Sequence, residues 1–193
     1  MLYKMIEIML AAVLLVPTFW LLNRVTFHNW KRTIHYFVFG LYLAAVYSFA
    51  GLPTLQFMRL ELNLEWMPFM PMLADLKNTV LNVALFVPLG ILLPFLWETY
   101  RTGKAAILFG FGMSLSIELL QIFTYRATDI NDLIANTLGT VIGYGIYQLA
   151  IRLIPALGKH GTGKNEIAVV MAAVFLVMFF LQPYLASAFY AIT

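Results

Sequence analysis

The residues best suited to chemistry are three acids and one arginine in the middle of the sequence. Glu118, Asp129 and Asp132 carry carboxylates, which suit a hard divalent cation, Mg²⁺ or Ca²⁺, because such cations prefer oxygen ligands. A buried glutamate can also act as an acid or a base. Arg126 lies among them and can hold a phosphate, a sulfate or a carboxylate through its forked donors. The group predicts a site for a lipid-linked phosphate, with the three acids as candidate catalytic residues or metal ligands.

Three amide side chains are candidate partners of these charges. Gln121 lies on the same helical face as Glu118, three residues further on. Asn82 and Asn136 come from two other apolar parts of the chain. Together with Arg126, these three amides form the predicted ligand-binding set.

The same residues also have a structural interpretation. Asp129 is placed to cap a helix, and Asp132 would then lie in its first turn, where the helix dipole favours acids. Arg126 would pair with a neighbouring acid. Asn82 and Asn136 would form hydrogen bonds between helices. The sequence leaves both interpretations open.

The composition of the chain indicates the environment that surrounds these residues. The chain has 193 residues, of which 62% are hydrophobic and 11% charged, and its mean hydropathy is +0.86. A soluble domain carries about 25% charged residues. The sequence therefore excludes an ordinary cytosolic enzyme, a disordered chain and a nucleic-acid-binding module. It contains no cysteine, so disulfides and thiolate metal sites are excluded as well.

Six apolar runs, each near the ~20 residues that span a bilayer, make up most of the chain. They cover residues 5–22, 34–52, 79–97, 104–124, 131–151 and 167–188. Helices are expected, because an open sheet edge in lipid leaves backbone groups unpaired. The sequence predicts an all-α, polytopic bundle of about six spans in one membrane domain, residues 1–193. Gly139 and Gly143 form a GxxxG pair that lets another helix come close.

The distribution of basic residues predicts the orientation of the bundle. Eight of the 12 lysines and arginines fall in alternate connections between the runs. They are Arg24, Lys31, Arg32, Arg101, Lys104, Arg152, Lys159 and Lys164. The positive-inside rule places these connections in the cytoplasm and both termini outside.

Under this orientation, the polar residues of three runs converge. Asn82, Glu118 and Asn136 lie three, six and five residues from the outer end of their runs, an average depth of roughly 7 Å at the rise of a helix. A polar residue inside a span costs free energy, so its presence indicates a structural or functional role. Three runs with polar groups at one depth therefore predict a site at the outer end of the bundle.

The longest connection, residues 53–78, falls on the same outer side and is unusually apolar. Residues 59–66 alternate polar and apolar, which is typical of a strand, but the sequence offers this strand no evident partner. We expect an extended segment on the membrane surface with Trp66 at the headgroup level. It is either an interfacial linker or the cover of a cavity.

Four motifs that contain these residues resemble the VanZ family of bacterial membrane proteins. They read Asn82-Val-Ala-Leu-Phe86-Val-Pro88-Leu-Gly90, Ser116-Ile-Glu118-Leu-Leu-Gln121, Arg126-Ala-Thr-Asp129-Ile-Asn-Asp132 and Asn136-Thr-Leu-Gly139. The resemblance covers roughly residues 60–150, and the last apolar run, 167–188, lies beyond it.

The resemblance implies a multi-pass protein of the bacterial cell membrane. The family takes its name from a member linked to low-level resistance to teicoplanin, a lipid-bearing glycopeptide antibiotic. The resemblance implies no settled reaction. It does point to the same motif residues that were selected above by their depth in the bilayer and by the free-energy cost of polar groups there.

Three functions fit these observations. The first is a non-enzymatic envelope protein that engages a lipid-linked cell-wall precursor or a lipoglycopeptide at the outer leaflet. The second is a metal-assisted transferase or hydrolase acting on a phospholipid or glycolipid through Glu118, Asp129 and Asp132. The third is a transporter, although spans 1, 2 and 6 offer it no polar lining through the bilayer core. Membrane lipid is the expected partner in each case, and nucleic acid is not.

Overall fold

The structure is a computed structural model, and it describes most of the chain. The described residues are 2–60, 64, 65, 69, 72, 75–124, 128–159, 161, 162 and 166–192. Three residues named above, Trp66, Arg126 and Lys164, lie outside this part, so the predictions made for them stay predictions.

The six predicted runs correspond to helical segments whose ends lie close to the predicted ones. The helices are α1 Leu2–Leu22, α2 Trp30–Ala50, α3 Leu76–Leu96, α4 Gly103–Gln121, α5 Ile130–Leu153, α6 Ile167–Leu176 and α7 Gln182–Ile192. The π-helical turns Asn23–Phe27 and Val177–Leu181 extend α1 and join α6 to α7. The last predicted run is thus two α-helices with a π-helical turn between them.

Within the described residues, five stretches are long and apolar enough to cross a membrane. They are Tyr3–Phe27, Trp30–Ala50, Leu76–Leu96, Gly103–Gln121 and Ile167–Ala191. The predicted all-α, polytopic membrane fold is therefore confirmed. Helix α5 has 24 residues but is not one of the five, and Asn131, Asp132 and Asn136 make its first turns polar. Its assignment as a span, and the placement of both termini outside, stay predictions.

The contacts divide the chain into two compact units. Unit 1 consists of Met1–Arg59 and Glu166–Thr193, and unit 2 of Leu60–Asn165. Helices α1, α2, α6 and α7 belong to unit 1, while α3, α4 and α5 belong to unit 2. The candidate site residues all lie in the sequence of unit 2. The prediction of a single membrane domain is untested by this division.

Small residues set the close packing of unit 2. Helix α5 packs most extensively against α3. A methyl group built on Gly139 would overlap the carbonyl oxygen of Val83, and one on Gly143 would overlap that of Val87. From the opposite side, a methyl group on Gly90 would lie 2.7 Å from the backbone nitrogen of Tyr144. The predicted role of the GxxxG pair in close helix approach is confirmed.

Side-chain caps define where the helices of unit 2 begin. Asp75 accepts a hydrogen bond of 3.0 Å from the backbone N–H of Asn78. Thr102 accepts one from Ala105 at the start of α4. Such caps satisfy N–H groups that the first turn of a helix leaves without a partner.

The alternating segment before α3 does find a strand partner. Strand β1, Leu64–Glu65, pairs in parallel with strand β2, Thr128–Asp129. The sequence offered no evident partner for a strand here, so this pairing was not predicted. The partner lies in the turn that precedes α5, and sequence alternation carries no information about so short a pairing far along the chain.

Unit 1 has its own polar anchor at the start of α6. Glu166 is buried and forms an ion pair with Arg32 of α2, with 3.0 Å between Nη1 and Oε2. The hydroxyl of Tyr36 donates a hydrogen bond of 2.8 Å to the same carboxylate oxygen. The buried charge is thus paired and hydrogen-bonded, which its burial requires.

The glycine packing predicts a sharp contrast between two substitutions in α5. In Gly143→Ala, the new methyl group meets a backbone carbonyl that cannot move aside, so the protein should lose about 1–3 kcal/mol of stability. In Gly145→Ala, the methyl group meets nothing within 4 Å, and helix propensity should add up to about 1 kcal/mol. Thermal melting of both variants in the same detergent checks this. Equal melting temperatures would contradict the close packing of α3 against α5.

Candidate functional site

Glu118 is the centre of the polar end of unit 2. It lies in the last turn of α4, and only 3% of its surface is exposed. Its Oε2 accepts a hydrogen bond of 2.9 Å from the backbone N–H of Asp129, and its carbonyl oxygen accepts one of 3.1 Å from the hydroxyl of Thr128. The chain entering α5 is therefore held against the end of α4 by both the side chain and the backbone of one residue.

Asp129 caps helix α5, as its structural interpretation predicts. Its Oδ1 accepts 2.8 Å and 2.7 Å hydrogen bonds from the backbone and side-chain nitrogens of Asn131. Asp132 follows in the first turn of the same helix. Both acids thus lie where the positive end of the helix dipole stabilises negative charge.

Two asparagines link α5 to its neighbours, which confirms the predicted interhelical hydrogen bonds. The Nδ2 of Asn82, on α3, donates to the carboxylate of Asp132. The Nδ2 of Asn136, on α5, donates to the hydroxyl of Ser114 on α4 at 3.0 Å. Polar residues of three helices therefore meet at one end of unit 2, as their common depth in the sequence predicted.

The polar face of α4 is buried along its length. Ser114, Glu118 and Gln121 are spaced so that they share one helical face, and they are exposed by 0%, 3% and 2%. Asn136, facing Ser114, is 4% exposed, and its Oδ1 is buried without a hydrogen-bond partner among the described residues. The Oδ1 of Asn136 is thus a buried hydrogen-bond acceptor that remains available.

Asn131 is a member of the site that the sequence reasoning missed. It is 3% exposed, and its Oδ1 accepts a 2.9 Å hydrogen bond from the backbone N–H of Phe69. This bond fixes part of the long connection 53–78 to the start of α5. Four of the five residues from Thr128 to Asp132 are polar, which was the available signal, but nothing in it indicated a partner so far away in the sequence.

The three acids do not assemble as the predicted metal ligands. Among the residues that the structure describes, no group of three His, Cys, Asp or Glu side chains could hold a metal ion. The reason is that each carboxylate faces its own donor: Glu118 the N–H of Asp129, Asp129 the nitrogens of Asn131, and Asp132 the amide of Asn82. A Mg²⁺ or Ca²⁺ cofactor and a catalytic role for these acids stay predictions.

A further acid inside an apolar run was also missed. Glu7 lies in α1, and its carboxylate accepts a hydrogen bond from the hydroxyl of Ser48 on α2. Lys4 donates to the carbonyl oxygen of the same serine. The rule that selected Glu118, the rarity of acids within spans, would have selected Glu7. Its partners tie α1 to α2 in unit 1.

Comparison with known proteins extends the resemblance seen in the motifs. The model of the VanZ/LLP1 family matches residues 6–152. The match thus begins well before the expected limit near residue 60 and ends before α6. Protein VanZ of Enterococcus faecium is 32% identical over 112 residues, which are 57% of this chain and 64% of that protein. No solved structure matches the chain.

These matches agree with what the helices and the site show. The chain covers less than two thirds of the length of the Enterococcus faecium relative. The family model, however, covers more than half of this chain and includes every residue of the candidate site. The chain is a multi-pass membrane protein that belongs to the VanZ/LLP1 family.

Proposed function

We propose that the polar end of unit 2 binds a lipid-bearing envelope molecule, either a lipid-linked cell-wall precursor or a lipoglycopeptide such as teicoplanin. The observation that carries the proposal is the buried carboxylate of Glu118, 3% exposed on an apolar helix. Ionisable groups inside membranes are expensive and are by default candidates for function. Low-level resistance to teicoplanin would follow if the bound antibiotic is kept from its target.

The surroundings of Glu118 suit a ligand rich in amides and hydroxyls. The N–H of Asp129 fixes the orientation of the carboxylate. Asn136 presents a buried Oδ1 that has no partner in the described part of the chain, and a buried acceptor of this kind costs about 1–3 kcal/mol until a donor reaches it. A glycopeptide or a muropeptide headgroup carries donors of that kind.

Phe69 supplies an apolar surface beside this polar end. The residue is 62% exposed, while its backbone N–H is held by the buried Asn131. Its φ of 66° is a left-handed conformation that a bulky residue rarely adopts. Strain of this kind persists where the surroundings hold it in place, and it is found at binding sites. An exposed aromatic residue anchored through its backbone to a polar cluster suits a ligand that combines a headgroup with an acyl chain.

A metal-assisted transferase or hydrolase has less support, because no described group of three acids could hold the metal. A transporter has no supporting observation in either unit. The binding function is therefore the one that we test.

The first prediction concerns the charge of Glu118. Glu118→Gln keeps an oxygen that accepts the N–H of Asp129, so the fold should survive. The charge-assisted hydrogen bond to the ligand is lost, which should weaken teicoplanin binding roughly ten- to a hundredfold. Binding is measured on the purified protein in nanodiscs, and resistance is measured in a susceptible host that expresses it.

Glu98→Gln is the matched control for this experiment. Glu98 is an exposed acid in the short helical turn Glu98–Tyr100, which follows α3, and its side chain is 51% exposed. Its loss should change neither binding nor resistance. Full binding by Glu118→Gln, with an unchanged melting temperature, would refute a role for the carboxylate in the ligand site.

The second prediction tests whether the ring of Phe69 contributes to ligand binding without contributing to the stability of the protein. Phe69→Asn removes the ring and places at φ 66° a residue that tolerates this conformation, so stability should hold or rise. Loss of the ring's contact with an acyl chain should weaken teicoplanin binding about tenfold. Binding of vancomycin, which lacks the acyl chain, should not change.

Phe57→Asn controls for the loss of an exposed ring as such. Phe57 is 75% exposed and belongs to unit 1. The proposal for Phe69 is wrong if both variants weaken teicoplanin binding equally, or if Phe69→Asn has no effect.

A further inference from the structure

Unit 1 contains an apolar cleft that the proposed function does not use. The cleft lies between the end of α1 and the start of α2 and has a volume of about 200 Å³. Its walls include Val16, Phe19, Trp20, Trp30, Ile34 and Phe37. Pockets that enclose a drug-sized molecule have roughly 300–1,000 Å³. The cleft therefore fits part of a single acyl chain and not a whole amphiphile.

A cation lies directly at the edge of this cleft. The guanidinium carbon of Arg24 lies 5.4 Å from the centroid of the Trp20 ring, and that ring forms part of the cleft wall. This is the geometry of a cation–π interaction. A molecule with its chain against Trp20 would therefore carry its headgroup within reach of Arg24.

The backbone around Arg24 is fixed in advance. Residues Asn23–Phe27 form a π-helical turn, a feature that is often found at functional sites. The buried Oδ1 of Asn23 accepts hydrogen bonds of 3.0 Å from the N–H of Asn29 and of 2.8 Å from the hydroxyl of Thr33. The turn and the start of α2 are thereby tied together, so little order has to be gained when a ligand binds.

The positive charge at this place is not balanced by acids. Arg32 is already paired with Glu166. In the part of the chain that the structure describes, neither Arg24 nor Lys31 has an acidic group within 4 Å. Arg24 lies on one tryptophan of the cleft wall, and Lys31 directly follows the other, Trp30, in the sequence. Cations in these positions are complementary to one class of molecule, an amphiphile with an anionic headgroup.

We propose that this cleft is a binding site for an anionic phospholipid. One acyl chain lies between α1 and α2 against Trp20 and Trp30, and the phosphate is held by Arg24 together with Lys31. The orientation predicted from the basic residues places this connection at the cytoplasmic leaflet, whose anionic lipids attract such cations. The site uses residues of unit 1 alone and does not depend on the function proposed for unit 2.

Tryptophan quenching by brominated lipids tests the proposal on the full chain in nanodiscs. A minor fraction of phosphatidylglycerol with brominated chains is placed in unlabelled phosphatidylcholine, and the reverse mixture is compared with it. Trp97 is fully buried, so it contributes a signal that lipid does not quench. The signal that remains in a Trp20→Phe/Trp30→Phe protein is subtracted, so that the difference reports on the cleft.

The native protein should be quenched more strongly by phosphatidylglycerol than by phosphatidylcholine. Arg24→Gln should lower this preference about fivefold, the effect expected of one basic residue at a membrane surface. Lys31→Gln should lower it as well, and Arg24→Lys should retain most of it because the charge remains. Lys31 is exposed at the start of α2, so its variant provides a second test if Arg24→Gln does not fold.

Lys104→Gln is the matched control, since Lys104 is an exposed cation in the first turn of α4 and belongs to unit 2. It should leave the preference unchanged. Equal quenching of the native protein by both lipids would overturn the proposal. So would a preference that survives both Arg24→Gln and Lys31→Gln, or one that Lys104→Gln reduces as strongly as Arg24→Gln.

Discussion

The hydrogen bond from the backbone N–H of Asp129 to the carboxylate of Glu118 organises unit 2. It holds the residue that caps α5 against the last turn of α4, and so it sets where α5 begins. Once that point is fixed, the 3.6-residue period of the helix decides which side chains face α3 and α4. Asn136 then reaches Ser114, and Asp132 reaches Asn82.

The glycines of α5 add the second constraint, which acts further along the same helix. Gly139 and Gly143 leave no room for a side chain against the carbonyl oxygens of α3. In lipid, helices associate through such close packing and through polar contacts. The lipid tails are as apolar as the helix surfaces, so no hydrophobic force drives the helices together. The polar end and the glycine contacts therefore fix the same helix at two heights, and the position of Glu118 depends on both.

The sequence predicted the parts that depend on local pattern. Continuous apolar runs predicted the helices, the GxxxG pair predicted that some helix packs closely against α5, and the cost of polar groups in lipid predicted the cluster around Glu118. It did not predict the pairing of Leu64–Glu65 with Thr128–Asp129, or the bond between Asn131 and Phe69. Both contacts join residues more than 60 positions apart, and each depends on a turn whose geometry no periodicity encodes.

Because charged residues are scarce in this chain, the partner of each one is informative. Asp129 fits its structural interpretation as a helix cap, and its acid is already engaged by Asn131. Arg32 and Glu166 likewise neutralise each other inside unit 1. In a chain with only 11% charged residues, a charge with an assigned partner has a structural reason to exist. Arg24 has no such partner among the described residues and lies instead on the ring of Trp20. A cation kept in that position, at the edge of an apolar cleft, is complementary to a ligand that brings its own negative charge.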